Sequence, residues 1–218
     1  MKDIAIFGAG GFGKEVQMLI EQINQKSNKW NLKGFYDDNI EKGRLINELP
    51  VLGNTQDLNK YGSEIGIIVA IADPPVKERV INKIKNNHVY YPVLIHPGVL
   101  TGNRKYFSAG EGSIITAGNI ITVNVEIGRH VILNLSCTVG HDVCIGDYSS
   151  IMPGVHLSGE VTVEKGVFIG TGAEVINQLN LGENSIIGAG SVVNRDIPSN
   201  STAVGVPAKV IKKHKKTI

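Results

Sequence analysis

The sequence predicts a small α/β domain with a parallel sheet, joined to an all-β domain wound as a parallel β-helix. Three observations carry the prediction. A six-residue apolar period runs unbroken from Ala109 to Val193, a glycine-rich segment at Gly8–Gly13 sits between an apolar strand and an amphipathic helix, and strands alternate with helices through the first 95 residues.

The repeat is the stronger signal. Stepping in sixes from Ala109 meets Ile115, Ile121, Ile127, Leu133, Val139, Ile145, Ile151, Leu157, Val163, Ile169, Val175, Leu181, Ile187 and Val193. Four places after each comes a second inward position, small or β-branched in most turns, as at Val131, Cys137, Val143, Ser149, Val155 and Ala173. A period of six fits neither an α-helix nor a hairpin array. It fits a short strand plus a corner, and three such units close a triangular coil of 18 residues whose apolar positions stack on those of the next coil. Gly or Asn follows the aliphatic position at Gly128, Asn134, Gly140, Gly146, Gly170, Gly182 and Gly188, where coils approach closely. Val123, His141 and Gly159, spaced by 18, should form one column, and Thr171 and Ala189 another. The phase is expected to break before Ala109 and after Ile197-Pro198.

The first 95 residues read as one Rossmann-like half. A strand at Asp3–Phe7 leads into Gly8-Ala9-Gly10-Gly11-Phe12-Gly13, and a helix follows over Lys14–Gln25. In that context a G-x-G-x-x-G segment allows a tight turn and close approach of phosphate to backbone at a helix N-terminus. A strand at Leu32–Tyr36 ends in Asp37-Asp38, placed for ribose or base contacts. Another, Ile65–Ile71, ends at Ala72-Asp73; Pro75–Asn86 reads as helix and His88–Ile95 as strand. The first domain is thus set at 1–95 and the β-helix at 96–218. With no second mononucleotide half before the repeat, a nucleotide-sugar suits the site better than NAD.

Composition narrows the function. A net charge of +2 lacks a nucleic-acid footprint. No stretch is long and apolar enough to cross a membrane, and the N-terminus lacks a signal peptide's apolar region. Cys137 and Cys144, the two cysteines, have no zinc spacing, so no metal is expected and a cytoplasmic, reducing setting is.

Both halves together resemble the hexapeptide-repeat acetyltransferases, in the subgroup acting on nucleotide-linked 4-amino sugars with their sialic acid O-acetyltransferase relatives. The resemblance runs from Gly8–Gly11 through Tyr36-Asp37-Asp38 and Ile95-His96-Pro97 to Gly205–Lys209. Its most informative segment is Asn134-Leu135-Ser136-Cys137-Thr138-Val139-Gly140-His141-Asp142. The resemblance implies a left-handed coil, acetyl-CoA as co-substrate, a homotrimer with active sites between subunits, His141 as catalytic base and Asp142 raising its basicity. It places acetyl-CoA contacts at Ser150, Gly159, Thr171 and Ala189, and nucleotide-sugar contacts at Gly10, Gly11, Phe12, Asp37, Asp38 and Ala72. Ser150 stands where relatives often carry His, and Phe12 and Ala72-Asp73-Pro74 also depart from the pattern.

The chemistry agrees. An amine attacking a thioester must shed a proton, imidazole titrates nearest neutral pH, and a neighbouring carboxylate fixes its tautomer. His141 stands third in its hexapeptide and should face outward; Gly159, one coil on, could lend a backbone N–H to the oxyanion. His156 could line the groove but reads rather as a solvated corner residue, and His130 and His96 read as structural; the basic tail 209–216 could attract CoA phosphates, with Lys215 and Lys216 read as a solvated end. Open rivals are O-acetylation of a sialic acid or similar hydroxyl, a noncatalytic β-helix that binds a partner, and a nucleotide-cofactor oxidoreductase.

Overall fold

The computed structural model describes residues 1–214, the side chain of Arg104 excepted, so the expectation for Lys215 and Lys216 lies outside the described residues. The chain divides into two compact units, Met1–Pro97 and Gly98–Ile218, two residues beyond the expected boundary.

In the first unit, β1 (Lys2–Phe7) is flanked in parallel by β2 (Trp30–Tyr36) and β5 (Ile65–Val69). The sheet order is β3-β4-β2-β1-β5-β6, with β3 (Leu45–Ile46), β4 (Leu49–Gly53) and β6 (Val89–Tyr90). Every residue of β5 is buried, as a strand covered on both faces requires. Helix α1 (Gly11–Ser27) turns Val16, Leu19, Ile20 and Ile23 inward, a 3.6-residue stripe; α2 (Thr55–Asn59) and α3 (Pro74–Lys83) complete the unit. The β3–β4 hairpin and α2 were not expected. The hairpin turns on Asn47 and Glu48, both with positive φ, and α2 is closed by a capping box between Asn54 and Asp57. The strand expected over 88–95 is split into Val89–Tyr90 and Leu94–Ile95 by Pro92, which cannot donate to a ladder.

The second unit is the left-handed parallel β-helix expected. Its coils have three faces. Ile114–Ile115, Ile132–Leu133, Ser150–Ile151, Phe168–Ile169 and Ile186–Ile187 stack on the first. Ile120–Ile121, Thr138–Val139, His156–Leu157, Glu174–Val175 and Val192–Val193 form the second. Val125–Ile127, Cys144–Ile145, Thr162–Val163 and Asn180–Leu181 form the third. Partners are 18 residues apart throughout this stretch. The register is 20 at the opening, where Leu100 pairs with Ile120, and 16 at the close, where Ala203 pairs with Ile187. The expected aliphatic column fills the interior, from Ile115 at 0% exposure to Val193 at 0%, with Ala109 and Leu179 half-buried at its margins.

Two glycine roles separate at the corners. Gly140 and Gly146 lie flat against the next coil: a Cβ would fall 2.7 Å from Gly159 N and 2.6 Å from Lys165 N respectively. Two residues after each such site the backbone turns left-handed, so every sixth residue from Gly112 to Gly190 has positive φ. Where that residue is not glycine it includes Asn124, Asp142 and Asn184, types that tolerate this region.

Candidate active site

The corner between the second and third faces is a column of paired residues on successive coils: Val123-Asn124, His141-Asp142, Gly159-Glu160. The stacking is carried by backbone bonds from Asp142 N to Val123 O (3.0 Å), Glu160 N to His141 O (2.8 Å) and Gln178 N to Gly159 O (3.0 Å). His141 faces outward, its side chain 57% exposed. Below it, Gly159 leaves the space the ring occupies, since a Cβ there would collide with His141 Nε2.

Asp142 holds the other edge of the ring, with Nδ1 2.8 Å from Oδ2. The remaining oxygen, Oδ1, accepts from Asn124 Nδ2 at 2.9 Å. The Asn124 bond and then the His141 bond hold the Asp142 carboxyl below the usual carboxylate range, so at neutral pH it is ionised and can only accept. His141 Nδ1–H is therefore the donor, and the lone pair lies on Nε2, facing Gly159. That is the tautomer a general base needs. The sequence reading named His141, Asp142 and Gly159, which the structure brings together on one column, but not Asn124, although it stands one full coil before Asp142.

Thr171 and Ala189 stack at the neighbouring corner, between the first and second faces, with Gly190 N bonded to Thr171 O at 2.9 Å. Both are exposed. Within the described residues the N–H groups of Gly159, Thr171 and Ala189 take no intrachain hydrogen bond. This is the rule at these corners, broken where a side chain reaches over, as Asp147 Oδ1 does to Arg129 N (2.7 Å). The two corners border the second face.

Ser150 is different. It lies on the first face, between Ile132 and Phe168, and has no exposed surface, so within one chain it is brought neither to His141 nor to solvent. Its hydroxyl is enclosed, at a position where the resemblance has His in many relatives. His156 also departs from expectation. It is exposed, but it sits on a strand of the second face and not at a corner, with Nδ1 2.8 Å from Thr138 Oγ1. His130 is buried and stacked on Tyr148 at 5.5 Å, a packing role as expected; His96 is half-buried. A shallow groove of about 400 Å³ on the third face, lined by Glu126, Cys144, Thr162 and Glu164, contains none of the expected site residues.

The glycine segment of the first unit has the geometry its sequence suggested. Helix α1 is capped by Gly10 with no side-chain acceptor, so its first N–H groups remain available to an anion. Gly13 packs against Gly8 O so tightly that a Cβ would collide with it. Gly10 and Gly11 are exposed; Phe12 and Ala72 are half-buried. Asp37 Oδ2 accepts from Ala9 N at 2.9 Å and Oδ1 from Asn39 N at 2.8 Å, so this carboxylate braces the glycine turn. Asp38, an exposed residue, accepts through Oδ1 from Thr55 N (2.8 Å) and Thr55 Oγ1 (2.6 Å), anchoring the start of α2.

Residues 3–84 match the family described as the PglD N-terminal domain. GDP-perosamine N-acetyltransferase of Escherichia coli O157:H7 is 33% identical over 215 residues, covering 95% of this chain and 96% of that one. Among solved structures, PerB from Caulobacter crescentus, in complex with CoA and GDP-perosamine, superposes with a TM-score of 0.86 at 28% identity, covering 97% of this chain and 98% of that one. The acetyltransferase domain of PglB from Neisseria gonorrhoeae, in complex with acetyl coenzyme A, gives 0.86 at 31% identity over 96% and 99%. A relative this similar along nearly its whole length settles the matter that the repeat and glycine segment opened: the chain belongs to the hexapeptide-repeat acetyltransferases of the nucleotide-4-amino-sugar N-acetyltransferase and sialic acid O-acetyltransferase family.

Proposed function

We propose that the protein moves an acetyl group from acetyl-CoA to the C4 amine of a nucleotide-linked amino sugar, with His141 as general base. The observation that carries the reading is the outward imidazole, bonded through Nδ1 to Asp142 and with Nε2 free above Gly159. The relatives bound to CoA and GDP-perosamine supply the substrate class.

In the step itself, the amine lone pair attacks the thioester carbonyl carbon as a proton passes from nitrogen to His141 Nε2. The tetrahedral intermediate collapses with cleavage of the C–S bond, and the CoA thiolate leaves and takes up the proton. Gly159 N–H, on the same column, meets the oxyanion. An acetyl-cysteine intermediate is disfavoured. Burial pushes the Cys137 thiol up to about 11, and burial with Glu126 and Asp142 raises Cys144, so neither offers a thiolate at neutral pH. Backbone N–H groups at Thr171 and Ala189 suit the amides of the pantetheine arm, which need no particular side chain. The first turn of α1 holds the nucleotide phosphates, with Asp37 and Asp38 toward the nucleoside. The working form is a homotrimer, and the free thiols fit a reducing, cytoplasmic setting.

The test is acetyl-CoA consumption against UDP-, GDP- and dTDP-linked 4-amino sugars beside free and CMP-linked sialic acids. Turnover with an amine acceptor is expected, and turnover confined to the sialic acids would replace N- by O-transfer. His141→Ala should lower kcat by about 10²–10⁴; wild-type turnover in that variant would remove His141 from the mechanism.

A further inference from the structure

We infer that Asn124 is a positioning residue for His141, acting through the carboxylate of Asp142. The inference rests on His141 serving as the base.

Asp142 is itself exposed, its side chain 48% accessible, so water competes for both its oxygens. Two donors approach from different coils: Asn124 Nδ2 at Oδ1 (2.9 Å) and His141 Nδ1 at Oδ2 (2.8 Å). Rotating the carboxylate breaks at least one of them. With Asn124 in place, the orientation that satisfies both also aims Oδ2 at the imidazole. Without it, the carboxylate can turn to solvent, and the ring loses the partner that keeps its proton on Nδ1.

Asn124 is suited to this by backbone as well as side chain. Its φ of 55° is left-handed, and asparagine is among the few residues other than glycine that adopt it at low cost. One coil further the same column pairs Gln178 Nε2 with Glu160 Oε2 at 3.2 Å, with Gly159 where His141 stands one coil earlier. There the bond ties coil to coil; at Asn124 it also sets an imidazole. The Cys144 thiol, which Asp142 helps to raise, stays neutral, and Glu160 stands one coil on in the same column, its carboxylate accepting from Gln178 Nε2; His141 is the group bonded to the Asp142 carboxylate.

Asn124→Gly removes the amide and keeps the left-handed corner; Asn124→Asp keeps size and shape but removes the N–H donor. Full-length protein with ¹⁵N-labelled histidine, its His141 signals identified by their loss in His141→Ala, reports the ring tautomer at neutral pH. Carboxyl ¹³C shifts report the Asp142 titration, and kinetics use acetyl-CoA with GDP-perosamine. Both variants should move part of the His141 population from the Nδ1–H to the Nε2–H tautomer. Each should lose about ten-fold in kcat, with KM for acetyl-CoA within about two-fold, the scale of one charge-assisted hydrogen bond acting at one remove. In Asn124→Gly the Asp142 midpoint should rise. An unchanged tautomer and an unchanged Asp142 midpoint overturn the inference, as does a defect in Asn124→Gly that Asn124→Asp lacks, which would make the contribution packing and not donation. If Asn124→Gly does not fold, the tautomer in Asn124→Asp decides. Wild-type turnover in His141→Ala would instead defeat the base assignment, while the tautomer measurement still judges the Asn124–Asp142 link.

Discussion

At His141 the imidazole is held by Asp142 of its own coil and lies over Gly159 of the next, and each contact can be removed separately. Gly159→Ala is the sharpest probe of the lower one. Its backbone is not left-handed, so the added Cβ costs no strain in φ. The atom it meets is the far end of the His141 ring, which can rotate away. Stability should barely change, with a thermal midpoint within about 2 °C of wild type, equivalent to no more than about 0.5–1 kcal/mol. Turnover should fall about 10- to 100-fold because the displaced base no longer meets its proton at hydrogen-bond distance. A variant both stable and fully active would mean the ring over Gly159 is not the productive position. The same residues show what sequence can reveal. His141 and Asp142 are adjacent and chemically loud. Asn124 is 17 residues upstream of His141, and its amide matters only because the coil returns it to Asp142; the 18-residue period was the signal that could have found it. The enclosure of Ser150 was illegible for a related reason. A position in a motif records which residue type relatives use, whereas whether a side chain is enclosed depends on everything packed against it.

Among the elements, the repeat was legible because one physical requirement, an aliphatic residue under each short strand, recurs at fixed spacing through the second unit. The βα alternation of the first unit was legible for the same reason at period 3.6. The Leu45–Gly53 hairpin and α2 escaped because each is short and held by local devices, the Asn47-Glu48 turn and the Asn54–Asp57 box, that leave no apolar period. The sequence also merged two kinds of corner glycine that the coil separates, and substitution should distinguish them. Gly170→Ala would drive a Cβ into the backbone N–H of Ala189, so a whole coil must shift, at a cost of about 1–3 kcal/mol or more. Gly172→Ala meets no atom within 4 Å and pays only for its φ of 68°, about 1–2 kcal/mol. Chemical denaturation should rank Gly170→Ala as the more damaging, and equal losses would argue against backbone contact as the reason for glycine after the aliphatic position. Deeper in the coil, Leu157→Ala beneath the second face should cost about 2–5 kcal/mol, since the stacked coils above and below cannot close the cavity.

For the whole molecule, the placement of the site residues poses a question that one chain does not answer by itself. His141 and Gly159 occupy the corner between the second and third faces, Thr171 and Ala189 the corner between the first and second, so a cofactor touching both either spans a face of one chain or bridges the corners of two. The proposed trimer favours the bridge, because repeating one heterologous contact around a three-fold axis sets the same two corners of neighbouring copies against each other and closes. Light scattering should then give three times the subunit mass. Mixing variants goes further, since mass alone does not say which corners meet. His141→Ala lacks the base but keeps the Thr171–Ala189 corner; Ala189→Trp blocks that exposed corner but keeps the base. Each homotrimer should be nearly inactive. Co-refolded one to one, random assembly places an intact base beside an intact neighbouring corner at about a quarter of the contacts, so about a quarter of wild-type activity should return. A site lying within one chain predicts no recovery at any ratio, because every chain then carries one of the two lesions in its only site. Recovery that fails while both variants still assemble with the trimer mass would confine the cofactor to the second face of a single coil stack, where His156 and Thr138 would become its neighbours.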